Sequence, residues 1–140
     1  LSLFSQTQKR EIIMQHYLSP EFKRKMDDEH KIKKYGQACA DYLEFNFDVV
    51  EGTIQNLYFD AKGCAFMVAS TDLFIKLVQG KKIENVLQII EKYEFLLKNG
   101  HCDDLEILGE LAIFDNVIQH PNRYYCATML SSALKEELNG

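Results

Sequence analysis

Between residues 43 and 61 apolar and polar side chains alternate in two successive runs, and this period of two constrains the fold more than any other feature of the chain. Leu43, Phe45, Phe47 and Val49 are separated by Glu44, Asn46 and Asp48, the pattern of a strand with one face buried and one in water. Val50-Glu51-Gly52 reads as a turn, after which Gln55, Leu57, Phe59 and Ala61 alternate again, less cleanly. The two runs predict an antiparallel hairpin over about 41–62. Counted outward from Glu51, residues 41 and 61 are equally distant, so the start of one strand meets the end of the other and Asp41 is expected near Cys64.

After Cys64 the chain reads as helix. Ala65 to Gln79 is apolar on more than one face and stops at Gly80, which suits a buried helix closed by a glycine cap. Ile83 to Lys98 sets Ile83, Val86, Leu87, Ile90, Tyr93 and Leu97 on one stripe before Gly100. Leu105 to Phe114 is a shorter, partly amphipathic stretch. Ala127 to Leu138 closes the chain with Ala127, Leu130, Leu134 and Leu138 inward. Ahead of the hairpin, Thr7 to Tyr17 places Ile12, Ile13, His16 and Tyr17 at helical spacing, and Ser19-Pro20 ends that helix. Glu21 to Lys34 is charge-dense and poor in apolar residues, and is expected to be a solvated, mobile connector. Strands followed by helices indicate an α+β fold: a small antiparallel sheet, with room for a third strand, packed by five or six helices.

The 140 residues, 46% of them hydrophobic, can bury a core without covalent staples and fit a single domain spanning 1–140. A formal charge of −5, with no basic stripe interleaved with aromatics, argues against nucleic acid as a partner. No uncharged run approaches the roughly 20 residues of a membrane span, so a soluble, cytoplasmic protein is expected. Four cysteines would permit two disulfides in a secreted chain, but such frameworks serve domains poorer in core than this one. Reduced thiols are the expectation.

Three of those thiols, Cys39, Cys64 and Cys126, with Asp41 two residues after the first, have the makings of a metal site. Helix-like segments follow Cys64 and Cys126, and unpaired amides at a helix start favour the thiolate, the form that binds metal or attacks sulfur. Single residues also have plainer readings. Cysteine is a common small core residue. Cys102 reads as an incidental loop thiol, His16 as a packed or hydrogen-bonded core histidine and His120 as a turn residue before Pro121. Arg123, three residues before Cys126, either steers a partner or pairs with a local carboxylate.

Four segments, in order, carry a family resemblance. They are Ile12-Ile13-Met14-Gln15-His16-Tyr17, Cys39-Ala40-Asp41, Gly63-Cys64-Ala65 with Ala69-Ser70, and Pro121-x-Arg123-x-x-Cys126-Ala127-Thr128. Through them the chain, from about Glu11 to Leu138, resembles the NifU-like (IscU/SufU) proteins of iron–sulfur cluster assembly. The 62-residue separation of Cys64 and Cys126 is similar to the long spacing of the SufU branch. Ala40 stands in place of the family's glycine, and Tyr125 where SufU has lysine and IscU histidine.

The resemblance implies Zn²⁺ bound by Cys39, Asp41, Cys64 and Cys126, a ligand set zinc accepts. It also implies Cys39 as the acceptor of persulfide sulfur from a pyridoxal-phosphate cysteine desulfurase of SufS type, with downstream iron–sulfur acceptor proteins as further partners and Arg123 as a partner-binding residue. The same four residues could instead hold a transient [2Fe–2S] cluster, the scaffold alternative. A structural zinc module for protein binding is the alternative of another class.

Overall fold

In the computed structural model, which describes residues 3–27, 29–37 and 40–139, the first helix begins at a reciprocal cap. Ser5 Oγ accepts from the Gln8 amide at 3.1 Å while the Gln8 side chain accepts from the Ser5 amide at 2.8 Å, which satisfies two amides at the start of α1 (Gln6–Leu18). Its inner face buries Lys9 and His16. His16 is the hydrogen-bonded core histidine expected: its Nδ1 lies 2.6 Å from Oδ2 of the fully buried Asp72.

Asp72 also accepts from the amides of Glu21 and Phe22, at 3.0 and 2.8 Å, which fixes the chain as it leaves α1. Here the expected mobile connector is corrected. Phe22 accepts from the Phe59 amide and the Arg24 amide donates back to the Phe59 carbonyl, at 3.1 and 2.7 Å, so residues 22–24 lie along a sheet edge. Residues 32–35 form strand β1 (Ile32–Tyr35). A charge-rich segment suffices because an edge strand buries only one face, and lysines there discourage further pairing.

The sheet has order β1-β2-β3, antiparallel throughout, with β2 (Tyr42–Val50) and β3 (Thr53–Lys62) making the hairpin. Glu51 and Gly52 both have positive φ, 51° and 76°, the two-residue loop whose twist matches that of the strands. The register differs from the sequence count: Tyr42 pairs with Lys62, so Asp41 falls opposite Gly63 rather than Ala61. One step of the shift comes from the turn, centred between Glu51 and Gly52. The other comes from a bulge where Asn46 pairs with Tyr58 but Asp48 with Gln55, at Asn56 with φ 54°. The bulge also explains the imperfect alternation, because beyond it Ile54 rather than Gln55 is buried.

α2 (Ala65–Val78) is the central helix, buried over most of its surface and packed against β3, α1 and the C-terminal helices. The chain leaves it through Gly80 at φ 79°. α3 (Ile83–Asn99) buries Val86, Ile89, Ile90, Tyr93, Leu96 and Leu97 and closes at Gly100 in the left-handed conformation. The stretch expected as a helix over 105–114 is a 3₁₀ segment, Leu105–Gln119, interrupted at Gly109 with φ 52°. Its tighter winding still buries Leu108, Leu111, Ile113, Phe114 and Val117.

The single closing helix expected from Ala127 is instead two, α4 (Pro121–Ala127) and α5 (Met129–Asn139). Proline at the first helical position, with its φ pre-set and no amide to satisfy, starts α4 six residues early. His120, expected in a turn, is the residue that caps α4. The α+β class, the antiparallel sheet and its third strand hold. No described helix is long and apolar enough to cross a membrane.

Candidate metal centre

The base of the hairpin delivers the first two functional groups together. Continuing the ladder one step beyond Tyr42 and Lys62 sets Asp41 against Gly63 and Cys64, and the Cys64 amide donates to Asp41 Oδ1 at 3.1 Å. Cys64 is the N-cap of α2, as its position before a helix suggested, and its Sγ lies 3.9 Å from Asp41 Oδ2. Gly63 makes this approach feasible: a Cβ there would overlap Asp41 Oδ1 and stand 2.7 Å from Cε of Met67. The carboxylate is 4% exposed, whereas Cys64 is open to solvent.

Cys126 arrives from another direction. It lies in the last turn of α4 rather than at a helix start, which corrects the expectation of flanking amides: the helix begins at Pro121 and ends one residue after the cysteine. Its Sγ is 3.8 Å from the Asn122 carbonyl, and its own carbonyl is 3.5 Å from Ser70 Oγ of α2. Just beyond, the hydroxyl of fully buried Tyr93 donates to the Ala127 carbonyl at 2.9 Å. Burial pushes the Tyr93 phenol well above its ordinary value, so it remains a neutral donor at that contact. Cys126 is 7% exposed.

One carboxylate oxygen of Asp41 and the sulfurs of Cys64 and Cys126 all lie within 4.8 Å of one another. Around a tetrahedral zinc ion the sulfur–sulfur and sulfur–oxygen edges are roughly 3.8 and 3.6 Å, so a contraction available to side-chain rotation would bring these atoms to ligand spacing. Two thiols and a buried carboxylate are donors of the kinds zinc accepts, and the residues present fit the ion. Cys39 lies outside the described residues. None of the described cysteines, Cys64, Cys102 and Cys126, is disulfide-bonded. Cys102 is half-buried in the loop after α3 and is not among these grouped donors.

Arg123, on α4, lays its guanidinium 4.5 Å above the Phe66 ring. Among the described ion pairs it has no carboxylate partner. Sequence reasoning missed the parts played by Tyr93, Ser70 and Gly63 in seating the donors. Gly63, directly before a cysteine, and Ser70, in the same resembling segment, carried a local signal; Tyr93 stood only on the apolar stripe of α3.

Residues 8–129 match the NifU-like N terminal domain family. The chain belongs to that family. Among relatives of this NifU-like protein, the zinc-dependent sulfurtransferase SufU of Bacillus subtilis (strain 168) is 25% identical over 127 residues, covering 91% of this chain and 86% of that one. An iron–sulfur cluster assembly scaffold protein IscU from Thermotoga maritima is 25% identical over 129 residues, 91% of this chain and 90% of its own. A crystal structure described as a scaffold for the SUF system of Fervidobacterium islandicum AW-1 superposes with a TM-score of 0.82 at 26% identity, covering 91% of this chain and 94% of that one. Family, fold and relatives set this NifU-like chain among the SufU and IscU iron–sulfur cluster assembly proteins.

Proposed function

We propose that this NifU-like protein is a sulfur acceptor in iron–sulfur cluster assembly. It takes sulfane sulfur on Cys39 from the persulfide of a pyridoxal-phosphate cysteine desulfurase and passes it towards iron–sulfur acceptor proteins, with Zn²⁺ held by Cys39, Asp41, Cys64 and Cys126. The observation that carries this reading is the convergence of Asp41, Cys64 and Cys126 donor atoms, from three separate elements, within 4.8 Å. The relative named as a zinc-dependent sulfurtransferase supports the choice of ion. When bound, zinc would hold the thiols as thiolates near neutral pH.

The chain's own residues do the rest. The Gly36 amide donates to the Asp41 carbonyl at 2.7 Å and closes the base of the β1–β2 connection. Two peptide units reach at most ~7 Å, so connectivity alone keeps Cys39 within reach of Asp41. In the transfer step the Cys39 thiolate attacks the outer sulfur of the donor's Cys–S–SH. The S–S bond breaks, its electron pair leaves on the donor's inner sulfur, and Cys39 carries the persulfide with no net oxidation. Asp41 and Cys64, tied through a backbone amide, hold their places while Cys39 reacts.

Labelling with sulfur-35 cysteine and a cysteine desulfurase tests this directly. Label on the wild type that is lost in Cys39→Ser is expected; undiminished label on that variant removes Cys39 from the role. Bound zinc with no label on the wild type would leave a structural zinc module. The scaffold names of two relatives favour a second reading, a transient [2Fe–2S] cluster on the same ligands. Visible absorption after reconstitution with iron and sulfide tests it.

A further inference from the structure

Arg10 of α1 lines a groove of about 370 Å³ together with Phe66 of α2, Asn116 of the 3₁₀ segment and Arg123 of α4. That volume lies in the range of small-molecule sites. The groove borders the candidate metal centre, since Ala65, also in its lining, directly follows Cys64, and Arg123 stands one helical turn before Cys126.

Its charge is positive in a chain whose net charge is −5. No acidic side chain lines it. Lys9, which does, is neutralised by Asp115 at 2.5 Å, but neither Arg10 nor Arg123 has a carboxylate within ion-pair distance among the described residues. The Arg123 guanidinium lies over the Phe66 ring at 4.5 Å, and a guanidinium held by its flat face keeps the N–H groups of its edge for a carboxylate. The rest of the lining is mixed. Gln6 and Asn116 bring side-chain amides, which both donate and accept, and Met14 brings apolar surface. An inorganic anion would leave the amides and the apolar side chains unused. A small molecule with carboxylates, a peptide or amino group and a few methylenes finds a complement for each.

Position adds the reactive group, because a ligand anchored on the arginines lies beside the grouped thiols. A persulfide on Cys39 has to be passed to a nucleophile, and a thiolate takes sulfane sulfur without net oxidation. We propose that this groove binds a small carboxylate-bearing thiol of amino-acid or short-peptide type, which removes the sulfane sulfur from Cys39. The ligand's thiolate attacks the outer sulfur of Cys39–S–SH. The S–S bond breaks, its electron pair leaves on the Cys39 sulfur, and the small molecule departs as a persulfide. This acceptor role rests on the sulfur-acceptor reading; the groove's affinity for a peptide-like carboxylate does not.

Two measurements on wild type, Arg10→Gln and Asn116→Asp separate the site from its role. The first is calorimetric binding of S-methylglutathione, which has the carboxylates and peptide groups but no free thiol. The wild type should bind it, and each variant at least about tenfold more weakly, with zinc content unchanged. The second loads the proteins with sulfur-35 from cysteine and a cysteine desulfurase, desalts them, and follows the release of label per labelled protein. Release by glutathione should saturate with concentration in the wild type and be at least about tenfold slower in the variants at low concentration. The uncharged thiol 2-mercaptoethanol should release label at one rate from all three, which a merely structural defect would not give. No binding of S-methylglutathione, or equal binding by the three proteins, overturns the site. Equal release by glutathione from all three overturns the acceptor role. A wild type that is never labelled refutes sulfur acceptance and the role with it, while the Kd for S-methylglutathione still decides the groove.

Discussion

Cys64 and Cys126 sit within 4.8 Å of the same carboxylate, yet they are seated by different physics. Cys64 stands at a strand-to-helix junction, exposed, with its amide tied to Asp41 and a glycine making room for that carboxylate. Its seat is built from sheet register and one missing side chain. Cys126 is buried at the end of a seven-residue helix and is held from beneath through backbone carbonyls that accept from Ser70 and Tyr93. That seat is part of the core. The first should therefore fail locally, losing metal while the fold survives, and the second should fail through stability.

The largest effect is expected at Gly63. Its backbone is not left-handed, so Gly63→Ala costs nothing in φ, and the whole penalty comes from the Cβ meeting Asp41 Oδ1 and Met67. Displacing the carboxylate should lower zinc affinity by ~100-fold or more and stability by about 1–3 kcal/mol. Competition with a chelating dye and urea unfolding measure the two. Wild-type zinc affinity in this variant would show that the Cys64 seat does not depend on that contact.

Tyr93→Phe probes the other seat. Removing the hydroxyl leaves the Ala127 carbonyl without this donor in a fully buried place, which should cost ~1–3 kcal/mol in urea unfolding. Zinc affinity should fall by less than about tenfold, because Cys126 is displaced only through its neighbour's backbone. A zinc loss as large as that of Gly63→Ala would mean the two seats are one unit.

The difference between the seats also explains what the sequence disclosed. Alternation over 43–49 and the Glu51-Gly52 turn are local signals, and they foretold the hairpin and the meeting of Asp41 with Cys64. Of the two-step error in register, one step came from a turn centred between Glu51 and Gly52 and the other from a bulge at Asn56, a residue whose left-handed backbone no periodicity announces. β1 was hidden because an edge strand needs little apolar sequence. The Cys126 seat was mislocated because the closing helix reads from Ala127, with His120 as a turn residue, whereas Pro121 is the first residue of a helix that carries Cys126. Tyr93 could be placed on a buried stripe, but its hydroxyl's partner lies 34 residues away and belongs to tertiary packing.

Exposure separates the thiols in solution as well. In metal-free protein, iodoacetamide should modify Cys64 roughly tenfold or more faster than Cys126, which reacts only when the structure opens locally. Peptide mass spectrometry over a time course reads both sites in one sample. Equal rates would mean that α4 is already loose in the native state.

The smallest effect is expected where β1 joins the sheet on the Asp41 side. Lys31 Nζ lies 2.7 Å from Glu44 and the Tyr42 hydroxyl donates to the same carboxylate at 3.0 Å. The hydrogen bond from Lys31, with that from Tyr42, holds the Glu44 carboxyl below its usual range. A carboxyl lowered by folding adds stability above its unfolded value of about 4.3 and gives it up as the pH falls through its lower folded value. Glu44→Gln should therefore lower the thermal midpoint modestly at pH 7 and by less at pH 3. The pair lies at the sheet's edge, where water screens it, so the loss should be well below that of Tyr93→Phe. Zinc affinity should stay within about twofold of the wild type, since β2 remains paired with β3 behind Asp41. An equal deficit at both pH values would assign the effect to packing rather than charge. A large zinc loss would extend the Cys64 seat from the hairpin into the whole sheet.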